Sequence, residues 1–371
     1  MKNLRLTYVL CKISGYNQYL WVAEALRKQG YQVSFIFLDN TTDTLKTILT
    51  DKGFTCYQLA VESKKGIPLA IVKTIQIFRK EKTNIVHTHL VEASLVGLSA
   101  AKICGIKKRI HTRHHSDFHH QYHPKGVILD NLINLLSTDI IAVSKSVMNI
   151  VETKEKFHTN KTKQIYHGIR LEEFDRVSSE RIQRVKSTYA ISGYPVIGMV
   201  SRYESGKGIE YGIAAFQKLI VEYPCARLVI ANAFGSDATY IKSQLATLPP
   251  DSFIEIVHEN DIAALYKCLD VLLHTPVDVT YEAFGQVYIE AMAASIPLVC
   301  TLSGVASEYI KNNRNAIVVD YKNAEEIYAG VKKYLSDATF TMNIVQEARE
   351  NVVMFFDLNK VMSELNSLYL T

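Results

Sequence analysis

Long apolar runs, clustered cysteines and low-complexity tracts are all missing from this chain of 371 residues. No stretch reaches the ~18 consecutive apolar residues that span a bilayer. Residues 1–10 lack the charged, apolar and small-residue layout of a secretory leader. The six cysteines, Cys11, Cys56, Cys104, Cys225, Cys268 and Cys300, stand far apart and follow no metal-ligand spacing, the usage of reduced intracellular thiols. Zinc-finger spacing and RNA-binding aromatic signatures are absent too, which leaves nucleic acid out as a partner. The location expected from these absences is the cytoplasm.

What is present is an ordinary globular composition, 48% hydrophobic and 21% charged. The length exceeds what one hydrophobic core usually serves, so two domains are expected. The net charge of +5 conceals an asymmetry: residues 1–176 hold 26 Lys and Arg against 15 Asp and Glu, and residues 177–371 hold 16 against 22. The basic half needs an acidic counterpart. An anionic membrane surface and a phosphorylated or lipid-diphosphate acceptor both qualify.

Short β-rich apolar runs alternate with helical spacing from the start, the sequence form of βαβ units and a parallel sheet. Strands are expected at 4–10, 32–37, 85–88, 109–112, 139–143 and 164–166, and a helix over 17–29 ends at Gly30. After a polar stretch at 172–186, a second series follows at 196–200, 227–231, 253–257, 271–274 and 297–301. The fold class is therefore α/β, two Rossmann-like doubly wound domains facing a central cleft at the C-terminal ends of their strands. Limits are expected at 1–175 and 176–355, with the amphipathic terminal helix, 356–371, packing back on the first domain.

The densest chemistry lies in residues 282–308, EAFGQVYIEAMAASIPLVCTLSGVASE. Glu282 precedes a Phe284-Gly285 turn, and 286–295 has helical spacing. The start of such a helix leaves the N–H groups of Gln286 and Val287 open to an anion. Glu290 follows Glu282 by eight residues, about 12 Å along a helical path. Gly304, in the loop after strand 297–301, lets backbone amides approach an anion closely. A second group, SRYESGKG at 201–208, sits between strand 196–200 and a helix over 209–223. Arg202 and Lys207 thus share a strand-to-helix loop, where two cations can neutralise a diphosphate. Taken alone, two spaced glutamates or a basic pair on a loop are ordinary solvated surface. Their surroundings carry the information.

Those surroundings resemble family 4 glycosyltransferases, whose usual pattern is E-x-F-G-x4-E-A-M-A-x-G-x-P-V followed by a G-G-x-x-E loop, with R-x4-K-G upstream. Two departures occur: Ser295 replaces a glycine at the helix end, and Val305 replaces the second glycine of the loop, where it narrows the diphosphate pocket. Other landmarks keep the family order over nearly the whole chain. IYHGIRLEEF at 165–174 resembles the N-G-V-D-x-x-x-F segment, and Ala142-Val143-Ser144 its A-V-S strand end. Residues 259–266 resemble the stretch that holds the nucleotide base, with His258 and Glu259 departing from its glycine-containing form. The first strand ends near Gly15, where the family often has two glycines facing the diphosphate. In RIHTRHHSD, His114 matches the family's T-x-H histidine, which contacts the transferred sugar.

The resemblance implies a GT-B fold and a retaining hexosyl transfer from a UDP- or GDP-sugar to a hydroxyl acceptor, without a metal or other cofactor. It implies an acceptor domain followed by a donor domain, with surface polysaccharide or lipid-linked glycan as the acceptor. The implied catalytic residues are Glu282, His114, Arg202 and Lys207. The implied donor-binding residues are Gly15, Arg202, Lys207, Glu282, Phe284, Gly285, Gln286, Val287, Glu290 and Gly304. Within it, Glu282 orients the sugar, Glu290 holds the ribose, and the leaving diphosphate takes the acceptor proton.

Half of the chain's twelve histidines fall between His111 and His123. Three readings of this run stand open: a metal site, an acceptor-binding loop, or structural histidines. The acceptor reading takes His89, Arg113, His115 and Asp117. The helix expected over 68–82, with Lys73, Arg79, Lys80 and Lys82, either lies on an anionic membrane or packs its apolar side on the sheet. Rival functions are a nucleotide-sugar epimerase and a non-catalytic nucleotide-sugar binding protein.

Overall fold

Strands in a parallel sheet are buried on both faces and read as short, nearly continuous apolar runs, and this chain's runs pair in that way. The computed structural model describes residues 4–12, 17–39, 44–61, 63–157 and 160–371. The chain divides into two units, Met1–Gly168 with Leu358–Thr371, and Ile169–Asp357.

The first unit holds β1 Arg5–Leu10, β2 Gln32–Phe37, β3 Thr55–Gln58, β4 Ile85–His89, β5 Lys108–Arg113, β6 Asp139–Ala142 and β7 Thr162–Gln164. They form one parallel sheet in the order β3-β2-β1-β4-β5-β6-β7. The second unit holds β8 Val196–Val200, β9 Arg227–Ala231, β10 Phe253–Ile256, β11 Val271–His274, β12 Leu298–Cys300 and β13 Ile317–Val318. Its parallel order is β10-β9-β8-β11-β12-β13. Each is a doubly wound Rossmann-like sheet, with strand order reversing beside β1 and beside β8. Two strands escape the sequence pattern: β3 is a half-buried edge strand, TCYQ, and β13 has only two residues.

Both cores are made where helices meet sheet. In the first, Val9, Ile36 and Val86 pack against Phe78, Ala93 and Val96. In the second, Ile197, Leu228, Ile230 and Leu273 pack against Ile213, Phe216 and Leu219. Each of these larger side chains contributes about 1.5–3 kcal/mol by leaving water. The terminal helix Leu358–Leu370 buries Leu358, Val361, Met362, Leu365, Leu368 and Tyr369, one 3.6-residue stripe, within the first unit.

The chain passes into the second unit seven residues before the expected limit of 175. Ile169 N–H donates to Phe356 C=O at 2.8 Å. Phe174, on the short helix Glu172–Asp175, is buried with its ring 6.3 Å from that of Tyr266. The polar stretch at 172–186 is thus the start of the second unit, held there by the buried Phe174 and Val185. Among the described residues no helix is long and apolar enough to cross a membrane.

The helix Gln286–Ala293 closes with two bonds, Ser295 N–H to Met292 C=O and Ile296 N–H to Ala291 C=O, the Schellman pattern. Ser295 occupies the left-handed position, with φ of 56°, which costs an L-residue about 1 kcal/mol relative to glycine. Ser295→Gly is expected to stabilise the fold by about 1 kcal/mol, read as a rise in the urea midpoint with an unchanged m-value.

Candidate active site

The loops leaving β8 and β11 flank the reversal of strand order in the second unit, the position at which open parallel sheets take ligands. They lie against each other closely. Val277 N–H donates to Gly206 C=O at 2.9 Å, and the Thr275 hydroxyl donates to Gly208 C=O at 3.2 Å. Gly208 has φ of +68°, and a Cβ there would stand 1.9 Å from the Thr275 carbonyl oxygen, so the seam requires glycine. That seam delivers Lys207 to Glu282. The ammonium donates to Oε1 at 2.7 Å, both side chains mostly buried, and it lies 5.4 Å from the Tyr281 ring centroid.

Glu282 is held from three sides. Its backbone N–H donates to the Ser303 hydroxyl at 2.9 Å, and the buried His274 imidazole stands 3.4 Å from Oε1. Burial opposes ionisation of the carboxyl, but the charge of Lys207 and the adjacent His274 imidazole outweigh it and hold the group far below the usual carboxylate range. Burial in turn pushes the His274 imidazole down. Arg202 takes a different partner, Glu204 of its own loop at 2.9 Å, and is 44% exposed. Of the two expected cations, the structure brings only Lys207 onto a signature glutamate.

Gly285, with φ of +88°, starts the helix that carries Glu290, and no side chain caps it. The Gln286 and Val287 amides open that helix, and Gln286 Oε1 is a buried oxygen without a hydrogen-bond partner. Glu290 accepts from the Tyr266 hydroxyl at 2.9 Å, and burial pushes its carboxyl up to about 7 despite that bond. The two signature carboxylates are therefore shifted in opposite directions because their surroundings differ. One faces a lysine, the other a phenol.

Three donor-binding expectations are corrected here. Gly304 does not present its amide to an anion: its N–H donates to Val279 C=O at 3.1 Å. A Cβ there would stand 2.8 Å from the Phe284 oxygen, so this glycine is what lets the 279–284 loop close. Val305 narrows no open pocket, since its side chain is fully buried. Phe284 is buried with its ring edge-on to Phe356 at 5.9 Å, so it anchors the loop. Gly15 lies outside the described residues.

In the first unit, the strand ends of β4 and β5 carry a chain of imidazoles. His89 Nδ1 lies 2.7 Å from His114 Nε2. His114 stacks on His167 at 5.3 Å, and His167 Nδ1 pairs with the Gln18 amide. His87 bridges the Tyr369 hydroxyl and the Thr112 hydroxyl, both at 2.7 Å. Burial lowers His87 to about 3 and His114 to about 4, and pushes His89 and His167 well below the usual range. These rings are neutral and serve as hydrogen-bonding groups. His89, His87, His167, Gln18 and Tyr19 line one small cavity of this unit.

Arg113 is not free to meet an acceptor. It is 1% exposed and bonds both oxygens of Glu155, at 3.0 and 2.6 Å, and Asp130 at 3.3 Å. His115 and His119 hold the same Asp130 at 3.3 and 2.7 Å, while Asp117 is buried and accepts from Gln121 at 2.6 Å. The acceptor reading of Arg113, His115 and Asp117 gives way to a closed ion network, because a buried guanidinium must be fully paired. Ligand atoms of His115, His119 and Asp130 lie within 4.8 Å of one another. The Arg113 charge on that same carboxylate opposes a divalent cation there.

Two residues of the second unit carry weight that their sequence context did not reveal. His274 supports Glu282, and its position at the C-terminal end of a strand beside the switch point was the available signal. Tyr266 donates to Glu290 and partly offsets the effect of burial on it, and nothing in its spacing indicates that contact.

Lys207→Met leaves the Glu282 carboxylate mostly buried without its cation, and is expected to cost about 1–3 kcal/mol. The double variant Lys207→Met/Glu282→Gln is expected to recover most of that loss, so that a double-mutant cycle in urea gives a clear coupling energy. Additive losses would show that the pair is not coupled.

The model of glycosyl transferases group 1 matches residues 182–351, and that of glycosyltransferase family 4 matches residues 20–173. A glycosyltransferase of Methanocaldococcus jannaschii is 32% identical over 311 residues, 80% of this chain and 77% of the relative. The capsular polysaccharide biosynthesis glycosyltransferase CapM of Staphylococcus aureus is 24% identical over 310 residues, 81% of this chain and 80% of the relative. Among solved structures, Anabaena HepE in complex with UDP-glucose superposes with a TM-score of 0.84 at 18% identity, over 98% of this chain and 99% of that one. The enzyme class replaces the epimerase and binding-protein readings. With its two Rossmann-like sheets, its Lys207–Glu282 pair and these relatives, the chain belongs to the group 1, family 4 glycosyltransferases of the GT-B fold.

Proposed function

We propose that this enzyme moves a hexose-type sugar from a UDP- or GDP-sugar to a hydroxyl of a glycan or lipid-linked glycan acceptor, with retention of anomeric configuration and without a metal. The observation that carries this reading is the Lys207–Glu282 pair at the switch point of the second sheet, 2.7 Å apart and mostly buried. A diphosphate at that crevice meets Lys207, the solvent-facing Arg202 and the uncapped amides of Gln286 and Val287. The anomeric carbon to phosphate-oxygen bond breaks as the bond to the acceptor oxygen forms on the same face. The acceptor proton passes to the departing diphosphate, whose charge the cations balance.

In this proposal Glu282 accepts hydrogen bonds from sugar hydroxyls, Glu290 from ribose hydroxyls, and the neutral His114 imidazole bonds a further sugar hydroxyl. His89 remains a candidate for the acceptor side, on the strength of its place in the cavity of the first unit. The UDP-glucose complex of the structural neighbour supports the donor class, and the staphylococcal relative's name supports polysaccharide synthesis. The cytoplasm remains the proposed location.

The direct test is transfer of radiolabelled sugar after a screen of UDP- and GDP-sugars for thermal stabilisation. NMR of the new linkage then reads its configuration. Glu282→Gln is expected to lower turnover at least about a hundredfold. An inverted product, or wild-type rates in this variant, defeats the mechanism.

Glu290 adds a pH signature. Ribose hydroxyls favour the ionised carboxylate, while the free enzyme holds the group near 7, so donor binding must expel a proton at lower pH. Donor affinity is expected to weaken by up to about tenfold per pH unit below neutrality and to level off above it. Calorimetric titration from acid to mildly alkaline pH checks this, and Glu290→Gln should flatten the profile.

A further inference from the structure

A neutral imidazole has one N–H donor and one bare acceptor nitrogen, so what it offers a ligand depends on which nitrogen holds the proton. Burial keeps the rings at the ends of β4 and β5 neutral. His87 lies between the hydroxyls of Tyr369 and Thr112, and His111 meets the Ser94 hydroxyl at 2.8 Å. A hydroxyl turns to donate or to accept as the ring requires. Such partners leave the place of the proton undecided.

The contact between His89 and His114 is of another kind. His89 is the last residue of β4, and His114 directly follows β5. Their nitrogens, His89 Nδ1 and His114 Nε2, stand 2.7 Å apart. Two neutral imidazoles at that distance share a single hydrogen, so one ring donates and the other accepts. The form taken by either ring is thereby imposed on its partner. It passes through to the two far nitrogens, His89 Nε2 and His114 Nδ1.

Burial decides the direction. His89 is 5% exposed, and its Nε2 is a buried nitrogen without a hydrogen-bond partner among the described residues. A buried N–H left unpaired is the costlier arrangement, and a bare acceptor nitrogen is better tolerated. The His89 proton therefore sits on Nδ1 and is donated to His114 Nε2, which drives the His114 proton to Nδ1. His114 is only half-buried, so this N–H is open to a ligand. The stack of His114 on His167, 5.3 Å away with ring planes 15° apart, resists a flip of the ring. Free histidine in water favours the Nε2–H form, so the opposite form is imposed by the fold.

We propose that His89 is a positioning residue for sugar transfer, fixing His114 in its Nδ1–H form so that His114 meets the transferred sugar as a hydrogen-bond donor only. The sugar atom facing it is then an acceptor, a hydroxyl or carboxylate oxygen, and the ring needs no reordering when the donor binds. This rests on the reading of His114 as a sugar contact.

The test begins with NMR correlation of ring nitrogens with carbon-bound ring protons, in the full chain with isotope-labelled histidine at neutral pH. Signals are assigned by their loss in His89→Leu and His114→Gln. Both rings are expected in the Nδ1–H form in the wild type, and His114 is expected to revert towards Nε2–H in His89→Leu. Donor hydrolysis, with the UDP- or GDP-sugar chosen by thermal stabilisation, is expected to lose about tenfold in kcat/KM in His89→Leu. His89→Asn, whose side-chain amide can donate from the place of Nδ1, should restore most of that loss together with the His114 form. An Nε2–H or charged His114 in the wild type overturns the proposal, and the wild-type spectrum decides this even if a variant misfolds. An Asn variant as impaired as the Leu variant overturns it too. Wild-type turnover in His114→Gln overturns it together with the sugar contact, whereas lowered turnover there beside an Nε2–H wild-type His114 overturns it alone.

Discussion

A single ion pair ties together the two loops at the switch point of the second unit's sheet. Lys207 and Glu282 stand 75 residues apart in the chain and 2.7 Å apart in space, and each lies on a loop that would otherwise be free. The pair is secured by the absence of side chains around it: Gly208 lets one loop press on Thr275, and Gly304 lets the other close over Phe284. Were either position filled, the backbone would have to move by more than a hydrogen bond tolerates. The two charges are thus held in place by the fold itself.

The two signature glutamates illustrate how environment assigns different states to one residue type. Glu282 has a cation and an imidazole at hand and stays ionised through burial. Glu290 has the Tyr266 hydroxyl, and burial lifts it to about 7 despite that bond. Local stability follows opposite signs. Ionisation of Glu282 contributes stability above the unfolded carboxyl range and loses it as pH falls. Glu290 favours the fold when protonated, and that contribution fades as pH rises towards 7.

The first unit solves a different problem. The polar ends of β4 and β5 put His87, His89, His111 and Arg113 inside the protein, where each must find a partner. The imidazoles pair with one another, with hydroxyls of Tyr369 and Thr112, and with Ser94, whose Oγ is 2.8 Å from His111. Arg113 is satisfied by two carboxylates on separate elements, so the run of histidines after β5 becomes scaffold more than binding loop. The same network covers the one acid of helix Pro124–Leu136, which leaves that helix's outer face apolar and basic.

Sequence alone determined the α/β class, most strand positions and the glutamate and lysine motifs, because hydrophobic period and glycine placement are local properties of the chain. The spans Gln32–Phe37, Val196–Val200, Arg227–Ala231 and Val271–His274 needed nothing beyond their own apolar runs. Tertiary structure alone decided which polar groups are free. Arg113 was indistinguishable from a ligand-binding arginine until Glu155, 42 residues away, closed on it at 2.6 Å. Gly304 looked like an anion nest until Val279 took its amide at 3.1 Å. Pairing and exposure depend on what other segments bring to a side chain, and that information is not carried by its neighbours in sequence.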